Sequence, residues 1–281
     1  MPISPMRGLG LILGGWLILG LWLGCPTWAL SAPYSVDSLP GEARLEAFTQ
    51  AFEWGDRCVR ELQSGQQEAA VESCNRALRL DVENPTYRLN YSVALYRSGH
   101  YQAALEGANV ALRLNPQDYR GYYNRGLVQV ALHNFVAAIA DFDRAAALGI
   151  SPALLTDVYN DRGLAKLMAN RPEEAIADFD RALMLNSADV RALFNRGCAC
   201  HQLGHIDGAL TALNQVLALE PDHARTYLKR GLLRQALGDQ MGGIADLQQA
   251  ADCAQAQGQP HLYHYVLTLL NEWQSPGISV G

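Results

Sequence analysis

The chain has 281 residues, 49% of them hydrophobic, and a formal net charge of −6. That length permits one or two globular cores, while the acidic balance excludes a general affinity for nucleic acid, which needs a basic footprint. No run of five or more like charges occurs anywhere, so a charged interaction tail is excluded as well.

Residues 1–29 read as an export signal. Arg7 is the only charged side chain before Asp37, and Gly8–Gly24 is an uninterrupted uncharged run rich in Leu, Ile and Gly. Thr27-Trp28-Ala29 and Ala29-Leu30-Ser31 each offer small residues suited to cleavage. The run is short for a membrane span of roughly 20 residues, yet an uncleaved anchor stays open. Cys25 opens a third route: preceded by Leu23-Gly24, it resembles the lipid-modified cysteine of bacterial lipoproteins, with Trp22 where such signals place Leu. In all three cases Arg7 stays cytoplasmic and the body faces out of the cytoplasm. Membrane association through this segment is possible if it stays as an anchor or is lipidated. Residues 30–50 are expected to be a linker followed by capping turns of helix, with Leu45, Phe48 and Phe52 as their apolar stripe.

From residue 51 to 257 the chain repeats. Units begin at Ala51, Pro85, Tyr119, Thr156, Val190 and Ala224, at spacings of 34, 34, 37, 34 and 34, the exception being an insertion around Gly149-Ile150-Ser151-Pro152. Matching places carry small residues: Cys58, Ser92, Gly126, Gly163, Gly197 and Gly231 in the first half of each unit, and Ala70, Ala104, Ala138, Ala175, Ala209 and Gly243 in the second. Small side chains let two helices cross closely. A mid-helix glycine costs about 1 kcal/mol relative to alanine, so four of them mark a packing requirement. Bulky residues (Tyr122, Tyr159, Phe142, Phe179, Leu213, Leu247) alternate with these, and Gly65, Gly99, Gly204 and Gly238 punctuate the middle of their units.

A fixed period of this length and pattern resembles the tetratricopeptide repeat, a helical hairpin of 34 residues. The resemblance implies an all-α fold, a right-handed α-solenoid of six stacked helix-turn-helix repeats. Residues 258–281 would supply a capping helix, through the stripe Leu262, Val266, Leu269, Leu270 and Trp273, and a tail.

The resemblance also implies a binding face. Places two, six, nine and thirteen of the first helix in each repeat share one side, which lines the concave groove of family members. Here that face carries Asn90, Arg120, Asn124, Arg191, Asn195, Arg225 and Lys229. The asparagines resemble those that hold peptide backbone in relatives, and the cations suit an acidic segment or a C-terminal carboxylate. Tyr123 and Leu127 stand where the carboxylate clamp of chaperone-binding members has a lysine and an asparagine, so the clamp is incomplete. Asp157 and Asp161 on the intervening repeat could pair with Arg120 and Arg191 and leave the face neutral. A second recurring set, Arg125, Arg162, Arg196 and Arg230 beside Asp141, Asp178 and Asp246, is expected to form structural pairs between helices.

Cys58 and Cys74 fall on facing helices of one hairpin, and an exported chain meets an oxidising environment, so the two are expected to form a disulfide. Cys198 and Cys200, two apart on a helix, point to different faces and cannot share a metal ion. No glycine-rich phosphate loop, Gly-x-Ser-x-Gly or His-Glu-x-x-His is present. The expectation is a scaffold or adaptor outside the cytoplasm, with no catalysis, no cofactor, no metal and no nucleic-acid partner. A self-associating envelope protein, using solenoid edges or the C-terminal helix, is the alternative.

Overall fold

In a computed structural model residues 40–274 are described; residues 1–29, read above as an export signal, Cys25 and the final tail lie outside them. The described residues form thirteen helices and no strand. They pair as hairpins: α1 (Gly41–Gln63) with α2 (Gln67–Leu80), α3 (Pro85–Arg97) with α4 (Tyr101–Leu114), and α5 (Tyr119–Ala131) with α6 (Phe135–Ala147). Then follow α7 (Pro152–Met168) with α8 (Pro172–Leu185), α9 (Val190–Gln202) with α10 (Ile206–Leu219), α11 (Ala224–Ala236) with α12 (Gln240–Ala256), and finally α13 (Pro260–Gln274). Two compact units result, one ending at Gly121 and one beginning at Tyr122.

Local chemistry sets the helix starts. Asn84 caps α3 by accepting from the Thr86 and Tyr87 amides, with Pro85 behind it at the first helical position, where its missing N–H costs nothing. Asp189 caps α9 through the Ala192 amide, and the His223 ring accepts from the Thr226 amide at the start of α11. Between the two helices of every hairpin one residue adopts positive φ: Gly65, Gly99, Gly204 and Gly238, and at the same place in the other two hairpins His133 (φ 61) and Asn170 (φ 59). Asparagine tolerates that conformation better than most side chains; His133 adopts it too.

The 37-residue spacing is realised as helix. Gly149 turns the chain at φ 74, and α7 then starts at Pro152, one turn ahead of the repeat register. At the amino end α1 is also longer than its partner, 23 residues against 14. Its first turns overhang α2, and the stripe expected to cap the first hairpin covers nothing. Leu45 and Phe52 are each 69% exposed, because the buried side of α1 is Ala51, Gly55, Cys58, Glu61 and Leu62 and neither belongs to it.

Within each hairpin one place of the first helix makes the close approach, to the residue sixteen further along or to the backbone twelve further along. A methyl group added to Gly126 would come within 2.7 Å of the Phe142 ring, and one on Gly163 equally close to Phe179. Gly197 would meet Leu213 at 3.2 Å and Gly231 the Gly243 carbonyl at 3.0 Å. In the second hairpin Ser92 donates its hydroxyl to the Ala104 carbonyl at 2.7 Å instead. Phe142, Phe179, Leu213 and Leu247 are completely buried. At the carboxyl end α13 lays Val266 and Leu270 onto Leu247, Ala250 and Ala251, while His261, His264 and Tyr265 face out. That helix caps its unit in the sense required of a terminal element.

Buried ion pairs flank the crossings. Arg125, Arg162 and Arg230 each grip a carboxylate two-pronged, through Nε and Nη2, on Asp141, Asp178 and Asp246, at 2.5–2.9 Å. Asp178, with no exposed surface, also receives Lys166 at 2.7 Å and Arg181 at 2.9 Å. Arg196 departs from the expected set and reaches Asp180 on the preceding hairpin, at 2.7 Å, because its own second helix has Ala212 where an aspartate would stand. Burial alone would raise the Asp178 carboxyl; the hydrogen bonds and charges of Arg162 and Lys166 overcome it and hold the group below its ordinary value.

Two outcomes follow from this packing. Gly163→Ala gains about 1 kcal/mol of helix propensity but drives a methyl into a fully buried ring, an overpacking cost of roughly 1–3 kcal/mol. Urea denaturation followed by circular dichroism should show a net loss, smaller when Phe179→Leu is present. Asp178→Asn strands Lys166 and leaves Arg162 only Asp143, and should cost about 3–5 kcal/mol. Because the folded carboxyl titrates below its unfolded value, that contribution is full above about pH 4. It disappears as pH falls further, so the variant's stability should vary less with pH in the acid range.

Candidate functional site

The two units divide the residues of the anticipated binding face. Asn90 and Arg120 lie in the first, and Asn124, Arg191, Asn195, Arg225 and Lys229 in the second. Asn90 is half-buried and its side chain makes no hydrogen bond among the described residues. Arg120 is folded back on the residue that starts its own helix, with Nε and Nη2 bonded to Asp118 at 2.9 and 2.7 Å. Burial would raise the Asp118 carboxyl, yet the Arg120 hydrogen bond and charge keep it low. Arg120 is therefore neutralised locally.

In the second unit the same face forms a ladder from helix to helix. The Tyr123 hydroxyl on α5 donates to Asp161 on α7 at 2.6 Å. Arg191 on α9 pairs with Asp157 on α7. Asn195 donates to Asn160 at 3.1 Å, and Gln202 to Asn170 at 2.7 Å. Each rung joins nearly equivalent places of adjacent hairpins. Asn124 takes no part and its amide is unengaged among the described residues.

The ladder stops at α11. Arg225 and Lys229, one turn apart there, form no ion pair among the described residues, and Arg225 is exposed. Lys229 is near enough to α9 to act on its neighbours. Burial pushes the Cys198 thiol up with Lys229 opposing, and burial together with the Lys229 charge lowers His201. Asp161 is the other perturbed group. Burial dominates and raises its carboxyl to about 6, with Asp157 and Asp189 adding to the rise, against the Tyr123 hydrogen bond and the Arg191 charge. Some surface of the residue remains open to solvent.

Comparison with known proteins bears on what such a face is. A family model described as tetratricopeptide repeat matches residues 59–119 and 94–153, and one described as TPR repeat matches 197–238. These hairpins are tetratricopeptide repeats. Among solved structures the chain is similar to YrrB, described as a TPR protein with an unusual peptide-binding site, at 23% identity and TM-score 0.53 over 70% of this chain and 99% of that one. It is similar also to pilF of Pseudomonas aeruginosa, at 16% identity and TM-score 0.64 over 80% and 99%. A tetratricopeptide repeat protein from Parabacteroides merdae matches at 18% identity and TM-score 0.61 over 80% and 94%. At these identities the likeness is one of fold. No curated protein sequence matches the chain significantly.

Several members of the tetratricopeptide face escaped the sequence. Tyr123 reads there as a departure from a clamp lysine and turns out to anchor Asp161. Asn160 and Asn170 lie outside the four face-forming places but point between hairpins. The available signal was spacing: the rungs join residues 32 to 38 apart, close to one repeat. Cys198 lies half-buried on the face, while Cys200 is buried in the core with Ala209, Leu213 and Leu233.

Cys58 and Cys74 are joined as a disulfide in the first repeat, with Cα atoms 5.1 Å apart, inside the span a bridge requires. They occupy the places that Gly163 and Phe179 hold in the fourth repeat, so a covalent bond replaces a methyl-tight ring contact. Closing a loop of 16 residues corresponds to about 3 kcal/mol. Cys58→Ser with Cys74→Ser should lower the denaturation midpoint accordingly, and neither thiol should accept iodoacetamide in the native protein before reduction.

Proposed function

We propose that the protein is an exported, non-enzymatic adaptor that binds a peptide segment of a partner on the A-helix face of its tetratricopeptide repeats, with preference for an acidic segment. The observation that carries this is the pair Arg225 and Lys229. In a chain of net charge −6, where the other two cations of the face are engaged, two adjacent unpaired cations stand beyond a row of polar side chains. Arg120 and Arg191, engaged by Asp118 and Asp157, drop out as selectors of charge. Asn124 and Asn195 would hold peptide backbone in the second unit and Asn90 in the first, since an amide side chain offers both donor and acceptor. Tetratricopeptide repeats generally mediate protein–protein contacts, and YrrB's peptide-binding site supports the choice of a peptide. Export is supported by the composition of residues 1–29 and by the disulfide, which persists in oxidising compartments.

Self-association finds less support at the C-terminal helix, whose outer side carries His261, His264 and Thr268 beside the exposed Tyr265. The largest exposed apolar side chains near the export segment, Leu45 and Phe52, lie instead on α1.

The test is a binding titration by fluorescence anisotropy with a rhodamine-labelled hexa-aspartate peptide. Arg225→Glu with Lys229→Glu should weaken capture roughly tenfold or more, while the same exchange at Arg120 should change little. Equal affinity of wild type and the double reversal would dispose of acidic recognition on this face. Cross-linked co-purification of both proteins from the envelope would then name partners lost with the charges.

A further inference from the structure

On α7 two carboxylates, Asp157 and Asp161, stand one turn apart on the face they share with α9, and Asp189 caps α9 beside them. Between them they have one cation, Arg191, paired with Asp157. Asp161 is held instead by the Tyr123 hydroxyl at 2.6 Å. The groups acting on Asp161 are Tyr123 from α5, Asp157 from its own helix, and Arg191 and Asp189 from α9 and its cap. The charged side chains that α6 and α8 turn toward α7, Asp143, Asp178 and Arg181, are engaged with Arg162 or with each other.

We propose that this face takes up a proton as it binds an acidic segment: Asp161 becomes neutral, Arg191 is left with fewer carboxylates to balance, and recognition tightens in mildly acidic surroundings. The inference rests on the acidic-segment function proposed above and adds its regulation. With Asp161 ionised, the cluster of Asp157, Asp161, Asp189 and Arg191 carries two net negative charges and repels a partner carboxylate approaching from α9 and α11. Neutralising Asp161 halves that charge. Burial already lifts this carboxyl to about 6, so it gains its proton where a partner's own aspartates, with ordinary values near 4, stay ionised. A bound negative segment raises the proton affinity further. By reciprocity, whatever makes binding favour protonation makes protonation favour binding.

The partner being unidentified, the probe is the rhodamine-labelled hexa-aspartate peptide, titrated into the full chain between pH 5 and pH 7.5. Wild type should bind roughly five- to tenfold more tightly at pH 5, the size expected for removing one charge about 12–16 Å from another near a protein surface. Asp161→Asn should bind at pH 7.5 as wild type does at pH 5 and lose the pH dependence, with circular dichroism confirming that it folds. Tyr123→Phe, which deprives ionised Asp161 of its hydrogen bond, should keep the dependence but move its midpoint toward neutral pH. His201, on the same helix face region, also gains charge as pH falls. A dependence that survives unchanged in Asp161→Asn would assign the effect to another group, such as His201 or the His223 that neighbours Arg225, and overturn the proposal. Wild-type binding that ignores pH sinks the proton linkage while leaving acidic recognition standing, and absence of binding at every pH removes both.

Discussion

The close crossing within each hairpin is the constraint on which the rest of this structure depends. Place eight of the repeat meets place twenty-four, or the backbone at place twenty, with almost no room between them, and the chain meets that demand in several chemistries. Gly126 and Gly163 face phenylalanine rings, Gly197 faces a leucine, and Gly231 lies against the Gly243 backbone. Ser92 turns the contact into a hydrogen bond, and Cys58 and Cys74 turn it into a covalent bond. Helices held this close fix the rotation of one about the other, so the residues one place earlier on each helix are fixed as well. That is why Arg125, Arg162 and Arg230 find Asp141, Asp178 and Asp246 with both prongs of the guanidinium. A looser crossing would leave the same charges as exposed pairs worth a fraction of a kcal/mol.

Those arginines serve a third contact. Tyr122 has Arg125 and Arg144 over its ring at 5.6 and 5.8 Å, Tyr159 has Arg162 and Arg181 at 5.1 and 5.9 Å, and Trp54 has Arg57 and Arg76 at 5.3 and 4.4 Å. Each of these aromatics is thus approached by a cation from its own helix and one from the facing helix. Contacts of this kind add about 0.5–1 kcal/mol apiece where exposed and more where dry. Their larger consequence concerns function. Most of the arginine complement is committed to holding hairpins together, so any unpaired cation on the binding face stands out against a structural background that explains nearly all the others.

The fold was legible because the period is physical. Four first helices start at Pro85, Tyr119, Val190 and Ala224, the residues where repeat alignment places them, since capping and crossing recur with the same spacing. What could not be read was local. His133 and Asn170 take the left-handed turn without a glycine to announce it, and the insertion near Gly149 became an extra turn of α7 instead of a loop. On α1 the stripe of Leu45, Phe48 and Phe52 has the periodicity of a buried face, and periodicity cannot reveal that α2 ends too soon to cover it. The binding face was legible as places but not as pairings. Arg120 and Arg191 hold the same place in their repeats, yet one turns back to its own cap and the other reaches to the previous hairpin. That choice is made by the carboxylate nearest each guanidinium in space, Asp118 in one case and Asp157 in the other.

The consequence is an uneven face. Between α5 and α9 every rung is satisfied, so a partner bonding to a rung must displace a hydrogen bond or ion pair for each one it makes, and the exchange gains little; Asn124 lies outside the rungs. At α11 nothing has to be displaced: Arg225 and Lys229 give up only water. A peptide crossing the second unit would therefore gain most of its affinity at the α11 end and be judged by charge at the α7 end, where Asp161 and Asp157 oppose a carboxylate. Separating attraction from discrimination along one row of helices permits a single protonation to alter selectivity without altering the scaffold. Arg162 and Asp178 sit on the same two helices as the discriminating carboxylates but belong to the crossing, which stays locked in either protonation state.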